Sequence, residues 1–204
     1  FLVRDAMLML KADNDNAIIV LHEIYGINDH IKRMCNIYHE SGFDIFCPDL
    51  LRRDTHFLYE QHEQAYNYFK NNCGFNTTAV EQLVNELKEK YKKVIIIGFS
   101  VGATLSWLCS ETSQCDGVVS FYGSRIRDYI DVMPRCPTLV IQAKYEQAYN
   151  PSHLQQKLAS KPMMSFYIFN GRHGFCDRFS PSFNEEESKK AMKLSFDFIT
   201  KIVG

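Results

Sequence analysis

The sequence contains no apolar run that approaches the length of a membrane-spanning helix, so a helical membrane protein is not expected. It also lacks an excess of either charge. Twenty-three lysines and arginines stand against 24 aspartates and glutamates, for a formal net charge of -1, and neither a nucleic-acid footprint nor an acidic tail is indicated. Paired cysteine spacings are missing as well. The seven cysteines (35, 47, 73, 109, 115, 136 and 176) are odd in number and never form C-x-x-C. This argues against a disulfide framework or a zinc site and for free thiols in a reducing compartment. The segment F-L-V-R-D-A-M-L-M-L-K is interrupted by Arg4 and Asp5 and lacks the uncharged core of a signal peptide, so a cytoplasmic location is expected. Internal repeats and low-complexity stretches are absent. No cofactor or metal is called for, and the expected partner is a small molecule, with the chain a monomer or a homodimer.

What is present is a chain of 204 residues, 46% hydrophobic, enough for one domain over 1–204 with a substantial core. Its organising stretch is V-I-I-I-G-F-S-V-G-A-T-L-S-W-L-C at 94–109. Four consecutive β-branched residues, Val94 to Ile97, read as a strand buried on both faces, and the residues after Gly102 read as a helix. Between them Gly98-Phe99-Ser100-Val101-Gly102 is a G-x-S-x-G in strand-to-helix context, the setting of a nucleophile elbow. The plainer alternative is a glycine-rich turn with a helix-capping serine.

Strand and helix patterns alternate along the rest of the chain. Residues 1–11 are expected to form one edge strand, followed by a turn at 13–16 and buried strands at 17–21 and 43–47. Further strands are expected at 117–122, 138–143 and 165–169. Helices are expected from His30 to Glu40, from Thr77 to Tyr91 and from Glu185 to Val203, with Thr78 and Glu81 in capping-box spacing. The aromatic stripe over 56–70 reads as core packing or as a substrate wall. The alternation predicts a mostly parallel, doubly wound α/β sheet with helices on both faces and its ligand at the carboxyl ends of the strands.

A serine hydroxyl needs a base and usually an acid to orient that base, and in this kind of fold the order is serine, acid, histidine. His173, in N-G-R-H-G-F, is the histidine that directly follows the last expected strand. The candidate acid after the 138–143 strand is Glu146, which reads equally well as a solvated loop glutamate. Glu23, placed directly after an apolar strand, will be costly to desolvate unless a partner meets it; a salt bridge closing its loop is the alternative. An oxyanion hole is expected from the amide of Val101 and one amide in the loop 23–26, Ile24 being the candidate.

The segments L-H-E-I-Y-G-I-N-D (21–29), C-P-D-L (47–50), H-E-Q-A-Y (62–66), G-F-S-V-G-A (98–103), F-Y-G (121–123) and H-G-F (173–175) together resemble the dienelactone hydrolase family of α/β-hydrolases. The resemblance covers most of the chain from about residue 17. It implies the α/β-hydrolase fold, with Ser100 as nucleophile, His173 as its base, Glu146 in place of the family's aspartate, and Glu23 as the glutamate that contacts the resting nucleophile. Three departures stand out. Family members that open dienelactones usually carry cysteine where this chain has Ser100. The family's substrate-carboxylate arginines are expected at the positions of His62 and Asp177, and Arg178 is one residue away. The amino-terminal hairpin is shortened. The expectation is therefore a serine hydrolase of a small ester or lactone, with Tyr66, Tyr122 and Phe175 lining an aromatic pocket and His62 and Arg178 beside it. Alternatives are a binding or regulatory protein on a degenerate scaffold, or a thioesterase or peptidase using the same serine.

Overall fold

The computed structural model describes residues 7–204, and among these seven strands form one sheet. In chain order they are β1 (Met7–Leu10), β2 (Asn16–Leu21), β3 (Asp44–Pro48), β4 (Lys93–Phe99), β5 (Gly117–Phe121), β6 (Thr138–Tyr145) and β7 (Met164–Arg172). Their spatial order is β1-β3-β2-β4-β5-β6-β7; β1 runs antiparallel to β3 and every other pairing is parallel. The edge strand expected over 1–11 is β1 where it is described, and residues 1–6 lie outside the described residues.

The helices are α1 (Asp29–Glu40), α2 (His62–Asn72), α3 (Thr78–Lys88), α4 (Val101–Thr112), α5 (Pro151–Leu158) and α6 (Glu185–Val203). The pleat of the central strands sorts them into two layers. Ala17, Ile19, Leu21, Val94 and Ile96 point to one face, against Val80 and Leu83 of α3, Leu105 of α4 and Phe69 of α2. Ile18, Val20, Ile95 and Ile97 point to the other, against Ile31 and Met34 of α1 and Ala191 and Ile199 of α6. With both faces covered, β2 from Ala17 and β4 from Val94 run apolar rather than alternating. Each of the valine, leucine, isoleucine, methionine and phenylalanine side chains so withdrawn from water contributes about 1.5–3 kcal/mol before entropy is counted.

Three local features differ from expectation. Helix α5 was not anticipated: it has only eight residues and no long stripe, although Asn150 caps it by accepting from the amides of Ser152 and His153, with Pro151 at its first position. The capping box at Thr78 and Glu81 does not form. Helix α3 begins at Thr78, whose amide donates to Asn76, and it is Thr77 whose hydroxyl reaches Glu81. Finally, β6 and β7 run beyond their expected ends, because their pairing resumes after an irregularity and sets Tyr145 opposite Arg172.

Candidate active site

The turn between β4 and α4 places Ser100 at φ 55° and ψ -113°, a left-handed backbone that costs a non-glycine residue about 1–3 kcal/mol. The surroundings hold it there. The Ser100 amide donates to the Phe121 carbonyl at 2.9 Å, while its own carbonyl accepts from the amides of Ala103 and Thr104. The flanking glycines are required by close approach of backbone to backbone. A Cβ on Gly98 would lie 2.0 Å from the Gly102 carbonyl oxygen, and one on Gly102 would lie 2.3 Å from the Leu21 carbonyl oxygen. The side chain of Ser100 makes no capping bond to α4, so its hydroxyl is available for another partner.

That partner is His173. Ser100 Oγ lies 2.9 Å from His173 Nε2, and His173 Nδ1 lies 2.8 Å from Glu146 Oε1. Both loop residues are delivered by the sheet: β6 ends at Tyr145 and β7 at Arg172, so Glu146 and His173 leave adjacent parallel strands side by side. The imidazole side chain is 40% exposed, whereas that of Glu146 is only 5% exposed. Burial works against the imidazolium, but the hydrogen bond and charge of Glu146, with a smaller contribution from Glu23, outweigh it and hold the His173 pKa above its ordinary value of 6.5. A serine, an imidazole and a carboxylate in this line can transfer the hydroxyl proton and stabilise the resulting cation.

The loop after β2 is clamped from below by a histidine whose part was not foreseen. His22 is fully buried; its Nδ1 donates to the Glu23 carbonyl at 2.6 Å, and its Nε2 accepts from the Leu50 amide at 2.9 Å. These two bonds fix one neutral tautomer, and burial lowers the pKa in the same sense. His22 thereby ties the loop that carries Ile24 to the segment after β3. The Ile24 amide has no protein acceptor among the described residues, and the Val101 amide, at the first position of α4, has none within its helix.

Glu23 is 5% exposed and its pKa is pushed up to about 7, first by burial and then by the neighbouring charge of Asp177, with His173 acting in the opposite direction. Asp177 is itself buried and accepts a hydrogen bond from the Tyr59 hydroxyl. His30, in the first turn of α1, lies fully buried beside them. Among the described residues, Glu23, His30 and Asp177 are the group whose ligand-type atoms converge, all within 4.8 Å of one another. No lysine or arginine comes within ion-pair distance of Glu23, Glu146 or Asp177 among the described residues. Sequence reading singled out Asp177 only as a missing arginine; the signal for His30 would have been a histidine on the apolar face of α1.

The expected pocket residues are placed differently. Tyr122 and Phe175, expected to line an aromatic pocket, are fully buried. Their rings pack on each other at 5.6 Å; Tyr122 also packs on Phe99 and Phe121 and supports the His173 imidazole edge-on at 5.3 Å, and Phe175 stacks on Phe169. Tyr66 lies on α2 and is 39% exposed. His62, also exposed, pairs through Nδ1 with the Tyr25 hydroxyl at 2.8 Å. Arg178 is exposed, with its guanidinium 5.9 Å from the Phe179 ring centre. No hydrogen bond or ion pair joins Tyr66, His62 or Arg178 to Ser100 or His173 among the described residues.

Known proteins share this arrangement of chain. The family model for the dienelactone hydrolase family matches residues 5–203. The uncharacterized protein YczH of Bacillus subtilis (strain 168) is 35% identical over 181 residues, covering 87% of this chain and 89% of the relative. Carboxymethylenebutenolidase 1 of Cupriavidus pinatubonensis is 20% identical, over 94% of this chain and 89% of its own length. Among solved structures, a dienelactone hydrolase-like promiscuous phosphotriesterase from metagenomic libraries superposes with a TM-score of 0.72 at 16% identity, covering 97% of this chain and 99% of that one. With the α/β-hydrolase sheet and a match that spans almost every residue, the chain is a member of the dienelactone hydrolase family.

Proposed function

We propose that this protein is a serine hydrolase that cleaves a small ester or lactone through an acyl-enzyme on Ser100. The observation that carries the reading is the unbroken line from Ser100 Oγ through the His173 imidazole to Glu146, at 2.9 and 2.8 Å. His173 takes the hydroxyl proton as Oγ attacks the carbonyl carbon, and Glu146 holds the imidazole and stabilises its positive charge. The amides of Val101 and Ile24 receive the oxyanion, at the start of a helix whose dipole favours negative charge. His173 then returns the proton to the leaving oxygen, and a water activated by the same imidazole releases the acid.

The acyl substrate is uncharged near the scissile bond. The family's carboxylate-binding arginines are replaced by His62 and Asp177, and the groups around the nucleophile are the carboxyls of Glu23, Glu146 and Asp177. An anionic substrate would meet repulsion rather than a bidentate grip. The seven cysteines, all unpaired, suit a reducing compartment such as the cytoplasm. No helix among the described residues is long and apolar enough to cross a membrane.

A fluorophosphonate probe tests the chemistry. Stoichiometric labelling of folded protein, abolished in Ser100→Ala, is the expected result; folded protein that stays unlabelled and leaves p-nitrophenyl acetate intact would favour a non-catalytic binding role on the same scaffold.

A further inference from the structure

The cluster behind the nucleophile contains more chemistry than ester cleavage uses. Glu23 follows β2, His30 stands in the first turn of α1 and Asp177 lies in the loop after β7, and all three are buried. One ligand-type atom from each falls within 4.8 Å of the other two. His30 is the telling member: both of its ring nitrogens are buried without a hydrogen-bond partner, and its Nδ1 is 3.7 Å from Asp177 Oδ1, too far for a hydrogen bond. Unmet buried polar groups of this kind cost about 1–3 kcal/mol each, and two buried carboxyls side by side, with no lysine or arginine against them, add to that cost.

We propose that Glu23, His30 and Asp177 bind one divalent cation of the manganese and zinc class, joining the oxyanion loop and the start of α1 to the loop that carries His173. The donor set is one imidazole and two carboxylates, a mixture that suits such ions. Two carboxylates cancel the charge of the ion, so the filled site is neutral where the empty one must hold a proton or bear repulsion. Burial pulls the His30 pKa down to about 4, so its lone pair is free at neutral pH.

Metal–ligand bonds of about 2.0–2.2 Å put neighbouring donor atoms roughly 3–3.5 Å apart. The three side chains therefore close by about an ångström around the ion. Supporting contacts are already built. The Tyr59 hydroxyl donates to Asp177 Oδ2, the Phe179 amide donates to Asp177 Oδ1 at 2.8 Å, and the His30 ring packs edge-on against Phe99 at 5.2 Å. The proposal does not depend on Ser100 chemistry.

Its test is a titration of chelator-stripped protein with Mn2+ alone, followed by loss of the free-ion EPR signal, since Mn2+ discriminates against thiols. One ion per chain is expected, with binding at least about tenfold weaker in folded Asp177→Asn and in folded His30→Gln, and unchanged in Ser100→Ala. Should either substitution prevent folding, the wild-type chain still decides the matter: saturating Mn2+ raises its Tm, and pulsed EPR of the bound ion shows an imidazole nitrogen. Absence of stoichiometric uptake of Mn2+ and Zn2+ by folded wild type, absence of that nitrogen, or binding that survives both substitutions would overturn the proposal. Failure of fluorophosphonate labelling alongside normal Mn2+ uptake would refute only the hydrolase reading.

Discussion

Tyr145 on β6 and Arg172 on β7 are partners in parallel register, and the residue after each is a member of the site: Glu146 on one side, His173 on the other. The acid and the base therefore inherit their spacing from strand pairing rather than from loop folding. Neighbouring strands lie about 4.8 Å apart, close enough for the two side chains to meet with little conformational cost.

Removal of either reacting group should abolish turnover. Ser100→Ala and His173→Ala are each expected to lower kcat/KM for p-nitrophenyl acetate by about a thousandfold or more, with unchanged circular dichroism. Wild-type turnover in either folded variant would refute the acyl-enzyme route.

The pH profile reports the Glu146 contact. His173 must be neutral to act as a base, and its pKa lies above 6.5, so the acid limb of kcat/KM should fall above that pH in the wild type. Glu146→Gln removes the larger of the influences that raise this pKa and leaves only that of Glu23. The limb should move to lower pH while the plateau drops by roughly a hundredfold, because the neutral amide no longer stabilises the imidazolium. A limb that stays in place would show that Glu146 does not govern the imidazole.

Charge near the nucleophile sets selectivity. In chelator-stripped protein, where no cation offsets Glu23 and Asp177, the monoanionic p-nitrophenyl succinate is expected to react at least about tenfold more slowly, in kcat/KM, than p-nitrophenyl butyrate at low salt, with the gap narrowing as salt is added. Equal rates for the two would disprove the preference for uncharged acyl groups.

The alternation of apolar strands with amphipathic helices was enough to announce the doubly wound sheet, since β2 and β4 are apolar on both faces. Ser100, His173 and Glu146 were legible because each follows a strand, and strand ends are where such a sheet collects its chemistry. Other features depend on three-dimensional neighbours. Nothing local to Tyr122 or Phe175 says that the first ring turns under His173 and the second packs against the first rather than outward. The pairing of Tyr59 with Asp177 spans 118 positions, and the clamp at His22 depends on an amide 28 residues away. Helix α5 was missed for a different reason: eight residues provide too few turns for a periodic stripe.

Thiol accessibility offers a separate check. All of the cysteines except the half-buried Cys73 are buried, so Ellman's reagent should titrate no more than about one thiol quickly in native protein and all seven in guanidinium. Fewer than seven in guanidinium without reductant would reveal a disulfide.

At Gly102 the first turn of α4 rests directly on the main chain of Leu21 and His22, with no side chain between them to trim or enlarge. Gly102→Ala should therefore cost more than about 3 kcal/mol, measured as a fall in the urea midpoint. Evolution, like an engineer, has no adjustable spacer at this joint. New substrate preferences must be acquired in the loops that follow the strands, while the bend that presents the serine stays the same.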